Sequence, residues 1–185
     1  MVSKIHSMGL FGMDAFLVEI EADLSTTIPA FEVVGLPDAS VKESRDRIRA
    51  AFKNCGFDFP VARITINMAP ADKRKEGSLY DLPLFIAVMA ASGQLGPPDL
   101  DSVFFGELSL SGEVRPVRGI LPMVIKARED GFRAAYVPAG NAQEGAVVSG
   151  IDVIPVANVR ELVEHLRGSR TLSPAVPGDD TTAPL

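Results

Sequence analysis

The loop Asp72-Lys73-Arg74-Lys75-Glu76 concentrates three cations between two acids. Side chains of this kind neutralise backbone phosphates or meet an acidic protein neighbour. The plainer reading is a solvated loop whose charges largely cancel. A second set of cations, Lys42, Arg45, Arg49 and Lys53, recurs at helical spacing and defines one polar helix face. It extends the first set only if the fold brings the two together. No aromatic residue interleaves with these charges in the sequence, which argues against base stacking on them. Cys55 is the sole cysteine. It cannot form an internal disulfide, and it reads as a small apolar residue near a helix end in a reducing, cytoplasmic setting. The two histidines, His6 and His165, show no ligand spacing, so no metal site is expected. His165 falls near a helix C-terminus, where the dipole favours a partly charged imidazole. No G-x-x-x-x-G-K-[ST] run occurs, so this segment has no P-loop cradle for nucleotide phosphates.

These groups need elements to hold them. The chain has 185 residues, 46% of them apolar, which supplies a core for one domain. Its formal net charge of −6 disfavours nucleic-acid binding by the whole surface but leaves room for a local basic patch. No apolar run reaches the ~18–20 residues that span a bilayer, and the N-terminus lacks a secretory pattern. No membrane partner is expected.

Val18, Ile20 and Ala22 alternate with Glu19, Glu21 and Asp23, which predicts a half-buried strand with acids on its wet face. Phe31 to Val34 predicts a second strand. A helix is expected from about Ala39 to Asn54, capped by Asp38, with Ser40 and Glu43 as an alternative box, and ended by Gly56. Arg63 to Met68 alternates as another strand. Asp81 is expected to cap the next helix, with Pro83 in its first turn. That helix is apolar nearly all round from Leu84 to Ala91 and is therefore buried. Strands at Val103–Leu110 and Glu113–Val117 flank a turn at Ser111-Gly112. Gly119 opens a helix that ends near Gly131. Short strands at Ala134–Val137 and Val153–Val156 follow. Asn158 then caps an amphipathic helix closed by Gly168. From Ser169 onward Pro, Ser, Thr, Gly and Asp dominate, which predicts a domain over residues 1–168 and a disordered linker over 169–185. Strands alternating with helices make the class α/β or α+β, and the hairpin between two helices argues against a simple doubly wound sheet.

The motifs VVGLPDASVKES, NMAPAD, YDLPL and GELSLSGEVRPV, within a match from about Ile5 to Leu166, resemble the N-terminal domain of magnesium-chelatase-like AAA+ proteins of the ComM/YifB type. The resemblance implies a ribosomal S5 domain 2-like fold of the Lon-protease-like variety, with a mixed sheet and packed helices. It implies a hexameric AAA+ parent that moves branched DNA in natural transformation. ATP and magnesium would belong only to the AAA+ module beyond the linker, and no cofactor to this segment. Expected partners are that module, neighbouring subunits and DNA through the parent. The Lon-type layout also implies where a Ser–Lys dyad would stand. Ser78 lies close to the nucleophile position, and alignment on the buried helix puts Leu79 there instead. Leu121 and Met123 occupy positions where that family places lysines, and Lys126 lies one turn beyond. The site is therefore expected to be degenerate, with no catalytic residue. The alternatives are a residual peptidase using Ser78 and Lys126, or a DNA-contacting module using Lys73, Arg74 and Lys75.

Overall fold

The computed structural model describes residues 2–178. Residues 179–185 of the expected linker lie outside them. A seven-stranded mixed sheet forms the middle layer. Its strands are β1 (Val2–Phe11), β2 (Asp14–Ser25), β3 (Ala30–Val34), β4 (Arg63–Ala69), β5 (Ser102–Phe104), β8 (Ala134–Pro138) and β9 (Asp152–Val156), in the spatial order β3-β4-β2-β1-β5-β8-β9. A separate two-stranded ribbon pairs β6 (Glu107–Leu108) with β7 (Val114–Arg115). The helices are α1 (Ala39–Asn54), α2 (Asp81–Ala91), α3 (Ile120–Glu129), α4 (Ala142–Ala146) and α5 (Val159–Leu166). The class is mixed α/β, as the alternation of elements implies.

The sheet separates two cores. On one side Val18, Ile20 and Ala22 of β2 and Ile64, Ile66 and Met68 of β4 pack with α1, α2 and α5. On the other side Met8, Val103, Phe105 and Val153 pack with α3 and α4. Alternation dictates this division, because successive strand residues point to opposite faces. Every residue of α2 is buried, which is what an all-round apolar helix requires. Each fully buried Leu, Ile or Phe there contributes about 1.5–3 kcal/mol. Ser3 Oγ donates to Ala87 O at 2.6 Å and Ser7 Oγ to Phe104 O at 2.7 Å, so these two serines of β1 are satisfied inside. Glu21 and Asp23 remain on the wet face of β2, as their alternation predicts.

Local chemistry fixes most ends. Asp38 caps α1 by accepting the Val41 N–H at 2.9 Å, so the Ser40–Glu43 box is not used. Asn158 caps α5 through the Glu161 N–H at 2.9 Å. Asp81 corrects its sequence reading. It is the first residue of α2, and its carboxylate turns inward instead of capping the helix. The strand expected over Val103–Leu110 is split into β5 and β6. Gly106 stands at the break, where a Cβ would meet Val114 Cγ1 at 2.5 Å. The described residues after 168 still touch the domain. Leu172 N donates to His165 Nδ1 at 3.0 Å, and Ala175 N donates to Val153 O at 2.8 Å on the outer edge of β9. Because Nδ1 accepts, the neutral His165 ring carries its hydrogen on Nε2, which donates to the Tyr136 hydroxyl at 3.0 Å.

Candidate functional site

A groove of about 620 Å³ opens between the end of β1, the turn before α2 and the segment leading into α3. Leu10, Asp38, Ser78, Leu79, Val117 and Arg118 are among its walls. Ser78 starts a single 3-10 turn, Ser78–Tyr80, entered through Gly77 at φ 90°. That turn is pinned from below. Asp38 Oδ2 accepts the Gly77 N–H at 3.0 Å, so the carboxylate that caps α1 also ties down the loop before Ser78. Gly106 N donates to Leu79 O at 2.8 Å from the far side. Among the described residues, Ser78 Oγ has no hydrogen-bond partner.

A serine becomes a nucleophile when a neutral amine or an imidazole takes its proton. The three lysine-side candidates do not supply one. Leu121 is half-buried against the α3–α4 core, and its N–H reaches Glu144 Oε1 at 3.3 Å. Met123 is fully buried in that core. Lys126 is bound to Asp130 one turn on, at 2.9 Å, and this hydrogen bond holds its ammonium above the ordinary lysine range. Lys126 is engaged with Asp130 and is not among the residues that line the groove of Ser78. The start of α3 is closed by hydrocarbon instead. Gly119, at φ 82°, lies so close to Leu10 that a Cβ would meet Leu10 Cδ1 at 2.3 Å and Met123 Cε at 3.8 Å. The cation in the groove wall is Arg118, whose guanidinium has no basic lone pair to offer.

The loop cations part company. Lys73 is exposed, with its ammonium 4.8 Å from the Phe16 ring centre. Arg74 is exposed and pairs with Glu76 at 3.1 Å. Lys75 is fully buried, which corrects its reading as a surface contact. Its ammonium donates to the carbonyls of Gly35, at 2.7 Å, and Pro70. Its backbone exchanges hydrogen bonds of 3.0 Å with Leu36 and Asp38. Burial lowers the affinity of this amine for its proton, and Asp72 opposes that. The residue is a tether between two chain crossings and is out of reach of phosphate.

Sequence reasoning missed one polar centre. The Asp81 carboxylate accepts from Ser44 Oγ at 2.5 Å, Arg47 Nε at 2.6 Å, Arg47 Nη2 at 3.1 Å and Leu108 N at 3.0 Å. It joins α1, α2 and the β6–β7 ribbon. The only sequence signal was a Ser–x–x–Arg pair on the helix face otherwise read as apolar or cationic. Elsewhere, His6 is buried beside Glu19 with its Nδ1 unpartnered. Cys55 Sγ lies 3.4 Å from Ser111 O, and burial pushes its thiol up. Among the described residues, no group of three or more His, Cys, Asp or Glu side chains is placed to hold a metal ion, and no helix is long and apolar enough to cross a membrane.

A mixed α/β domain with an amine-free groove beside the buried helix α2 is thus what this sequence builds. Residues 20–141 match the family described as Subunit ChlI of Mg-chelatase, and the chain belongs to that family. It is 39% identical over 169 residues to the competence protein ComM of Haemophilus influenzae, covering 91% of this chain and 33% of that protein. An uncharacterized protein of Mycobacterium tuberculosis is 45% identical over 182 residues, covering 98% of this chain and 36% of that protein. The uncharacterized protein YifB of Escherichia coli is 36% identical over 185 residues, covering 100% of this chain and 36% of that protein. The chain therefore spans about a third of the length of the curated relatives it matches.

Proposed function

We propose that this chain is a non-catalytic scaffold and interaction domain of a ComM/YifB-type, magnesium-chelatase-like AAA+ ATPase. In this reading nucleotide and magnesium bind to an AAA+ module outside this segment. The domain contacts that module and neighbouring subunits in a cytoplasmic, DNA-moving machine. One observation carries the proposal: the niche at the start of α3, facing the groove of Ser78, holds Leu10 and Met123 and no amine. Replacing a base by neutral side chains removes general-base assistance of about 10²–10⁴-fold. What remains is a shaped surface between well-packed elements, which suits contact and not hydrolysis. The relatives support the larger context, because this chain accounts for only about a third of each.

The test uses a fluorophosphonate probe on the purified protein, followed by peptide mapping. No adduct on Ser78 is expected. Covalent labelling of Ser78 that disappears in Ser78→Ala would restore a nucleophile and end the scaffold reading. In the longer protein, removal of residues 1–168 is expected to alter subunit assembly by sedimentation velocity while ATP hydrolysis continues. Unchanged assembly would contradict the proposed role.

A further inference from the structure

We propose that the outer face of α1, together with the loop Phe57–Val61, binds single-stranded nucleic acid. Lys42, Arg45, Arg49 and Lys53 are all exposed on that face. At about 1.5 Å rise per residue they span about 16 Å, enough for several backbone phosphates. Among the described residues Lys42, Arg49 and Lys53 have no ion-pair partner, and Arg45 has only its neighbour Asp46 at 3.9 Å. Their charge is free for a ligand.

The sequence shows no aromatic residue among these cations, but folding supplies one. The chain turns at Gly56 and lays Phe59 beneath the helix, with the Arg49 guanidinium 5.5 Å from its ring centre. Phe59 packs edge-on against buried Phe52 at 5.4 Å, so the ring is held in place. Arg167 stands over Phe57 in the same way at 5.7 Å. Two hollows meet at Arg49, Phe59 and Pro60. One, of about 100 Å³, runs toward Arg45 and Phe31. The other, of about 740 Å³, runs toward Lys53 and exposed Val61. Each has cations on its helix side and flat aromatic or proline surface on its loop side. Phosphates require the first and unstacked bases the second. The acids on α1 and the loop are Glu43, which pairs with Arg47 at 3.6 Å, Asp46 and Asp58, against the four cations named and Arg47, in a chain whose net charge is −6. The local sign is thus opposite to that of the molecule, which selects a polyanion. An acidic peptide would satisfy the cations but leave the ring and proline walls without flat partners.

This surface is separate from the Ser78 groove, and its failure would leave the scaffold reading standing. The test is fluorescence anisotropy with a labelled 20-mer of oligo-dT. Neutralising three or four phosphates on a single strand gives a slope of about −2 to −3 in log affinity against log salt, so binding is expected to weaken about 20–50-fold between 50 and 200 mM salt. Arg49→Glu with Lys53→Glu, both exposed positions, is expected to lower affinity at least about tenfold with an unchanged melting temperature. Phe59→Leu is expected to weaken binding while leaving the salt slope as it was, because it removes a stacking face and no charge. Lack of binding at 50 mM salt would overturn the proposal. So would affinity that survives the double charge reversal but falls with Lys73→Glu and Arg74→Glu. Displacement of the oligonucleotide by poly-glutamate at equal charge concentration would reassign the surface to an acidic protein and overturn it too.

Discussion

Arg47 and Asp81 offer the sharpest test of how this domain is held together. The Asp81 side chain is wholly buried and the Arg47 side chain is 20% exposed. Removing one partner of such a pair leaves the other uncompensated, at a cost of about 3–5 kcal/mol. The two ends are not equivalent. Arg47→Met strands a buried carboxylate that keeps only Ser44 Oγ and Leu108 N as donors, and is expected at the upper end of that range. Asp81→Asn keeps volume and one acceptor, while Arg47 retains some contact with water. It is expected at the lower end, about 3 kcal/mol. In a domain of this size each kcal/mol moves the melting temperature about 2–4 °C, so Asp81→Asn should lower it by about 6–12 °C. The double variant Arg47→Met/Asp81→Leu removes both charges. Its cost is expected to be less than the sum of the singles, because no buried charge is stranded and only the Ser44 hydroxyl and Leu108 N–H are left without an acceptor, at about 1–3 kcal/mol each. Urea unfolding of these variants, with Asp81→Leu alone to close the cycle, measures the coupling directly. Single variants that cost under about 1 kcal/mol, as exposed pairs do, would refute the argument. Additive costs would refute it as well.

Two further outcomes rest on separate features. Burial pushes the His6 imidazole below its ordinary value of 6.5, against the opposing pull of Glu19. The unfolded chain therefore takes up a proton below pH 6.5 that the folded chain refuses. The stability from this group is complete above that pH and is lost as pH falls toward the depressed folded value. Urea midpoints measured from pH 7.5 to 5 should fall less steeply in His6→Gln, and equal slopes would contradict this. At Gly119, alanine would meet both a left-handed backbone and Leu10 Cδ1. The backbone alone costs about 1–2 kcal/mol. Leu10→Ala should relieve the steric part, so Gly119→Ala in that background should be milder when both are melted side by side.

The parts of the fold written in short-range pattern were legible. The alternation in β2 and β4, the Asp38 and Asn158 caps and the all-round apolar α2 each depend on neighbours within a few residues. What escaped depends on distant segments. β1 hides its strand character behind Ser3, His6, Ser7 and Gly9, whose polarity is absorbed by Ala87 and Phe104 carbonyls far along the chain and by Glu19 across the strand. α4, built from Ala142 to Ala146, carries too little apolar pattern to announce itself. Lys75 sits among charges and reads as solvated. Only the meeting of Gly35 and Pro70 carbonyls makes a buried place for its ammonium. Asp81 has the position of a cap, but Arg47 and Leu108, 34 and 27 residues away, draw it inward. At the candidate site, Leu121 and Met123 were legible as apolar residues of the α3 region. Leu10, which closes the niche from β1, was not, because nothing in its own neighbourhood points to α3.

The contact of Ala175 with Val153 bears on how copies of this molecule treat each other. A border strand with open amides and carbonyls invites a foreign strand to add itself. On the β9 side that invitation is partly withdrawn, since the chain's own later residues already lie along the rim. The segment after α5 thus works as a hem: it adds little to the core, and it keeps the parallel half of the sheet from becoming a template for its neighbours.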